Sequence, residues 1–163
     1  MCGIIVARTT KNYERDVTMN FWHNGVLTPD IEKTIEFLCL ASGTTTDKWT
    51  IMELEFPQAD MVTGDGGKLR AAFGRVDGMV IELLQPMDDK SYHAKALKVR
   101  GPGFHHNAYI CEKDQDKLIA DLVASGGRIV WEMKHEEDHA CYVEAAGGNI
   151  VLEIINNCPF MPD

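Results

Sequence analysis

Apolar and polar positions along the chain fall into one arrangement that occurs twice. Residues 19–27 form a strand-like run, and Ile31, Ile35 and Leu38 then recur at helical spacing. Thr28 and Pro29 are a candidate N-cap and first helical residue, and Gly43 is a candidate C-cap. Three strand-like segments follow at 49–56, 68–76 and 79–84, with the turn-rich Gly64-Asp65-Gly66-Gly67 and then Asp77-Gly78 between them. Farther on, residues 104–111 read as a strand and 114–125 as a helix with Leu118 and Leu122 in its stripe and Gly126 at its end. Segments 128–133, 140–145 and 149–155 read as three more strands. Between the two sets, residues 88–100 place Tyr92, Ala96 and Val99 at helical spacing and predict a connecting helix that stops at Gly101-Pro102-Gly103.

The two sets are copies of one unit. His23-Asn24 recurs as His106-Asn107 and Ala41-Ser42-Gly43 as Ala124-Ser125-Gly126, each 83 residues on. The closing strands match as well, with Glu82 of the first falling on Glu153 of the second, 71 residues on, so loops in the second copy are shorter. Each unit reads β-α-β-β-β. The expected fold is α+β: two tandem βαβββ modules forming one curved mixed sheet of about eight strands, with the helices on its convex face. Each half is small for a core of its own, so residues 1–163 read as one domain. Module one spans about 19–86, the connecting helix about 88–100 and module two about 104–157.

The repeat also carries the candidate chemistry. Each copy has a His on its first strand and a Glu on its last. Strand alternation puts Glu82 on the side of Val80 and Leu84, and Glu153 on the side of Val151 and Ile155. An ionisable group among apolar neighbours is costly to bury alone. If the two modules join side by side, His23, Glu82, His106 and Glu153 can converge near a pseudo-twofold axis. Such a mixed N/O site suits one divalent metal ion: Zn, Co, Ni, Mn or Fe. Taken singly, each of these residues is more ordinary as a core or surface group; the paired recurrence is what favours a site. His135-Glu136-Glu137-Asp138-His139 matches H-E-x-x-H, but it joins two strand patterns and predicts a hairpin tip instead of a helical zinc motif. Alternation turns His105 to the face opposite His106, with packing or a hydrogen bond as its role.

Composition narrows the partners. The chain of 163 residues is 45% hydrophobic and carries a formal charge of −9, which disfavours nucleic acid. No apolar run approaches membrane-spanning length, and the apolar start 1–7 is too short for a signal-peptide core. Cys2, Cys39, Cys111, Cys141 and Cys158 show no C-x-x-C spacing and suit reduced thiols in a cytoplasmic protein, with Cys39 and Cys141 buried as small apolar residues.

The stretch 81–109, with Glu82-Leu83-Leu84-x-Pro86, a connecting helix and then Gly101-x-Gly103-x-His105-His106-x-Ala108-Tyr109, resembles the vicinal oxygen chelate (glyoxalase/bleomycin resistance) superfamily. Within it the chain is similar to the methylmalonyl-CoA epimerase and glyoxalase-like families, in layout over roughly 19–157. The resemblance implies the metal positions His23, Glu82, His106 and Glu153. It departs at the penultimate strand, where Tyr142-Val143-Glu144 replaces the epimerase-like His-Pro-Lys, and near Arg70, where some epimerases carry a second carboxylate. The implied activity is a metal-dependent epimerase or isomerase. It would remove a proton next to a metal-polarised carbonyl of a small-molecule or acyl-CoA substrate, with Glu153 as catalytic base. A glyoxalase-type lyase would use the same ligands. An extradiol-type dioxygenase normally has one carboxylate fewer, and a metal-free binding protein would not need the paired ligands. Arg70 is a candidate partner for a substrate carboxylate, or else a solvent-facing strand residue. A homodimer is the expected assembly.

Overall fold

The computed structural model describes residues 17–148 and 150–157. The apolar start, Cys2, Cys158 and the first residue of the last expected strand, Asn149, lie outside the described residues. The elements run β1 (Asn20–Leu27), α1 (Ile31–Ser42), β2 (Thr50–Phe56), β3 (Met61–Thr63), β4 (Gly67–Val76), β5 (Met79–Pro86), α2 (Tyr92–Arg100), β6 (Gly103–Ile110), α3 (Gln115–Ala124), β7 (Arg128–His135), β8 (Asp138–Glu144) and β9 (Val151–Ile155). The strands form one sheet in the order β2-β4-β5-β1-β6-β9-β8-β7-β3. β1 is parallel to β5 and β6 to β9, while β1 and β6 run antiparallel at the centre. There Asn24 pairs with Asn107, so the repeated asparagines mark the pseudo-twofold axis that relates the modules.

The helices α1 and α3 cover the convex face. Ile31, Ile35 and Cys39 of α1 pack on Trp49, Ala72 and Leu83, and Leu118 and Ile119 of α3 pack on Cys111, Cys141, Val143 and Ile154. Cys39, Cys111 and Cys141 are buried free thiols. Alternate residues on the other face, among them Trp22, Leu69, Ala71, Phe73, Val80 and Leu84, form a second cluster that Ala96 and Leu97 of α2 enter. Among the described residues no helix is long and apolar enough to cross a membrane.

Three expectations need correction. The cap of α1 is Asp30, whose side chain accepts the Lys33 amide, because the Thr28 hydroxyl is engaged by the Asp30 backbone and by Thr34. In α2 the buried positions are His93 and Ala96, and Val99 faces solvent. The sheet has nine strands, since β3 intervenes before the Gly64–Gly67 turn, which therefore does not link β2 directly to β4. And β3 pairs with β7 of module two, at the edge of the sheet opposite β2. Five Cα steps separate Phe56 from Met61, so the chain between them can span no more than about 18 Å. Residues of module one therefore hold the end of β2 near the opposite edge, where Phe56 meets Trp131 of β7 with ring centroids 5.2 Å apart, and the sheet is curved.

Candidate metal centre

The strands β5, β1, β6 and β9 are consecutive in the sheet, and each contributes one functional side chain to the same face. Gly25 lies opposite both Glu82 and His106, and Ala108 lies opposite both His23 and Glu153. All four side chains are buried. His23 Nε2 stands 3.1 Å from His106 Nε2, 3.1 Å from Glu82 Oε2 and 3.5 Å from Glu153 Oε2. His106 Nε2 stands 3.4 Å from Glu82 Oε2 and 3.3 Å from Glu153 Oε2. One ligand atom from each residue fits within 4.8 Å of all the others.

Local irregularities in the strands aim these groups. In the β1–β6 ladder, Trp22 and His105 are each an extra residue against the partner strand. These are equivalent positions in the two modules, each just before its His. The bulge at His105 corrects the simple alternation argument, because His105 and His106 both end beside Tyr142, with ring centroids at 5.4 and 5.0 Å. His105 Nδ1 and His106 Nδ1 are 2.9 Å apart and share a hydrogen bond. With Nδ1–H of His106 donating, His106 Nε2 keeps its lone pair toward the other three groups. In module one Trp22 packs edge-on against His23, with centroids 4.3 Å apart, and His23 Nδ1 has no hydrogen-bond partner. Opposite each Glu is an aromatic residue, Phe73 for Glu82 and Tyr142 for Glu153. Gly25 is required by space: a Cβ there would lie 2.1 Å from His106 Cε1.

The field of the cluster favours positive charge. Burial pushes the Glu82 carboxyl up, but His23 and His106 outweigh it and hold Glu82 below the usual carboxylate range. Burial pulls the His106 imidazole down, yet Glu153 and Glu82 raise it to about 9. Burial raises the Tyr142 phenol well above its ordinary value, lowers His93 to about 3 and lowers His105 to about 2. The donor set fits a divalent ion on chemistry and spacing. Ligand atoms about 2.1 Å from an ion stand about 3.0 Å apart across an octahedral edge and about 3.4 Å across a tetrahedral one. Glu153 Oε2 is buried without a hydrogen bond, an orphan acceptor that a cation would satisfy.

Other candidates go elsewhere. His135 and Asp138 pair at a hairpin, as expected of its tip. His135 meets Asp60 at 3.0 Å, and His139 is buried against Glu132 at 2.9 Å. Arg70 is paired with Glu32 of α1, away from the four-residue cluster. Beside the cluster lies a cavity of about 180 Å³, lined by Trp22, Phe73, Trp131, Tyr142, Glu82 and Glu153 among others.

The family model of the glyoxalase/bleomycin resistance protein/dioxygenase superfamily matches residues 22–144. No curated protein sequence matches the chain. Among solved structures, a hypothetical protein from Bacillus halodurans C-125 is similar, with 18% identity over 90% of this chain and 99% of that one and a TM-score of 0.60. Methylmalonyl-CoA epimerase from Mycobacterium tuberculosis is 25% identical over 85% of this chain and 88% of that one, with a TM-score of 0.57. A variant of the Streptomyces coelicolor epimerase, in complex with 2-nitronate-propionyl-CoA, is 20% identical over 86% of this chain and 97% of that one, with a TM-score of 0.56. The family match covers most of the chain and includes both histidines and Glu82, and by it this protein belongs to the glyoxalase/bleomycin resistance protein/dioxygenase superfamily.

Proposed function

We propose that this chain is a divalent-metal-dependent epimerase or isomerase, with His23, Glu82, His106 and Glu153 as ligands of one Zn, Co, Ni, Mn or Fe ion. The observation that carries the reading is the convergence of four buried donor atoms, two from each module, within 4.8 Å. The similarity to methylmalonyl-CoA epimerases supports the reaction class. When bound, the ion supplies Lewis acidity toward a substrate carbonyl oxygen. Glu153 takes the proton from the neighbouring carbon, because its carboxylate lies at the edge of the cavity and its Oε2 has no competing hydrogen bond. That proton exchanges with solvent, and reprotonation at the opposite face or at the adjacent carbon completes an epimerisation or an isomerisation. Glu82 stays a ligand. Four protein ligands disfavour the dioxygenase reading, which calls for a 2-His-1-carboxylate site. The substrate is a small oxygenated molecule or an acyl-CoA. A cytoplasmic homodimer that binds no nucleic acid completes the proposal.

Solvent deuterium should enter the substrate carbon with wild-type protein. Glu153→Gln keeps an oxygen donor while removing the base, so turnover should fall by about 100-fold or more and metal content far less. Oxygen consumption without deuterium incorporation would place the chain with the dioxygenases instead.

A further inference from the structure

The cavity beside the four ligands restricts what can enter it. Module one contributes the stacked pair Trp22 and Phe73, with centroids 5.7 Å apart, and module two contributes Trp131 and Tyr142, with centroids 4.9 Å apart. The carboxylates on the lining are Glu82, Glu153 and Asp138, the imidazoles are His93 and His139, and among the described residues lining it there is no lysine or arginine. His93 shares a hydrogen bond with the Tyr142 hydroxyl at 3.1 Å, and His139 is taken up by Glu132 at 2.9 Å. Arg70, the sequence's candidate for a substrate carboxylate, is occupied by Glu32.

Charge balance then selects among substrates. Glu82 and Glu153 together offset the charge of a divalent ion, which leaves the centre neutral within an aromatic wall. A neutral substrate that gives up one proton places a single negative charge beside the ion. A substrate already carrying a carboxylate or phosphates brings further negative charge to an already neutralised ion, with no lysine or arginine on the lining to receive it and with Asp138 at its rim. The chain's charge of −9 adds a repulsive field outside.

Resting on the metal-dependent proton transfer proposed above, we infer that the substrate is an uncharged carbonyl compound with an aryl or bulky alkyl body. The body seats between the Trp22–Phe73 and Trp131–Tyr142 pairs. Anionic acyl thioesters are poor ligands of this cavity, although the similar solved structures include enzymes of such substrates.

The test is binding, read by tryptophan fluorescence on protein whose metal content has been measured first. The probes are 2-hydroxy-1-phenylethanone (an uncharged aryl hydroxyketone), methylmalonyl-CoA, and the methylmalonyl thioester of N-acetylcysteamine, which keeps the carboxylate and lacks the phosphates. The hydroxyketone should bind metal-loaded protein at least about tenfold more tightly than either thioester, and lose about tenfold or more when the metal is stripped. Asp138→Lys, a change at an exposed hairpin position, should shift the ratio toward both anionic probes by several-fold. Tighter binding of either thioester to wild type overturns the inference, as does the absence of saturable hydroxyketone binding to metal-loaded protein. A wild-type protein that takes up no metal overturns the proposed function itself, and this is seen before any probe is added.

Discussion

Gly25 decides whether the His106 imidazole can point at its three partners. It sits opposite His106 across the central ladder, and the ring occupies the space a Cβ would need. Gly25→Ala should therefore swing His106 away and cut metal affinity by about 100-fold or more while far-ultraviolet dichroism stays native, as isothermal titration on the refolded apoprotein would show. His105 acts on the same ring from the other side through the 2.9 Å Nδ1–Nδ1 hydrogen bond. His105→Phe leaves a packing residue as in module one, where Trp22 fills the equivalent place, and should weaken metal binding by about 10- to 100-fold. His105→Gln restores an acceptor and should recover most of that loss; equal affinity in all three proteins would reduce His105 to a packing role. The four convergent residues were legible in the sequence because duplication printed the same His and Glu twice. Gly25, His105, Phe73 and Tyr142 were not, since their importance depends on a bulge and on cross-strand register. Neither follows from residue alternation, which turns His105 to the wrong face.

Among the elements, both modules' first strands and helices were legible from apolar spacing, as was the Gly43 cap. The start of α1 was not, because Thr28 and Asp30 are both competent caps and only the tertiary partners of Thr28 decide between them. Three-residue β3 gave no periodic signal, and its partner lies in the other module. The junction between β4 and α2 depends on one carboxylate. Asp88 accepts the amides of Lys68 at 2.8 Å, Lys90 at 2.8 Å and Ser91 at 2.7 Å. Burial alone would raise its carboxyl, but these amides outweigh it and hold it at about 2. The folded value thus lies below the unfolded one, near 3.9. The stabilisation is complete above about pH 4 and fades as the pH falls through about 2. Asp88→Ala should cost about 1 kcal/mol at neutral pH. Urea midpoints of the two proteins should converge as the pH is lowered from 6 toward about 2.5. A gap that stays constant over that range would assign the effect to packing alone.

At the scale of the whole molecule, the two modules complete each other in two ways. Module one lends β3 to the outer edge of module two, and Asp60 beside it pairs with His135 at 3.0 Å. Each module also supplies one His and one Glu to the cluster at the pseudo-twofold axis. Neither half holds more than two of the four donors, and each half alone would expose its central strand, β1 or β6, as an unpaired edge. A break at the exposed Gly101–Gly103 connection should therefore give two fragments that are unfolded apart. Mixed together, they should recover native dichroism, and a divalent ion should promote the recovery. In the intact chain, an ion at 100 times its dissociation constant should add about 2.7 kcal/mol to stability, because it binds the assembled site and not the unfolded chain. In Glu153→Gln the gain should shrink, since the weaker ligand raises the dissociation constant. Cooperative unfolding of either fragment alone would show that a module holds its own core, and that the interlocked edge and shared cluster are secondary to the fold.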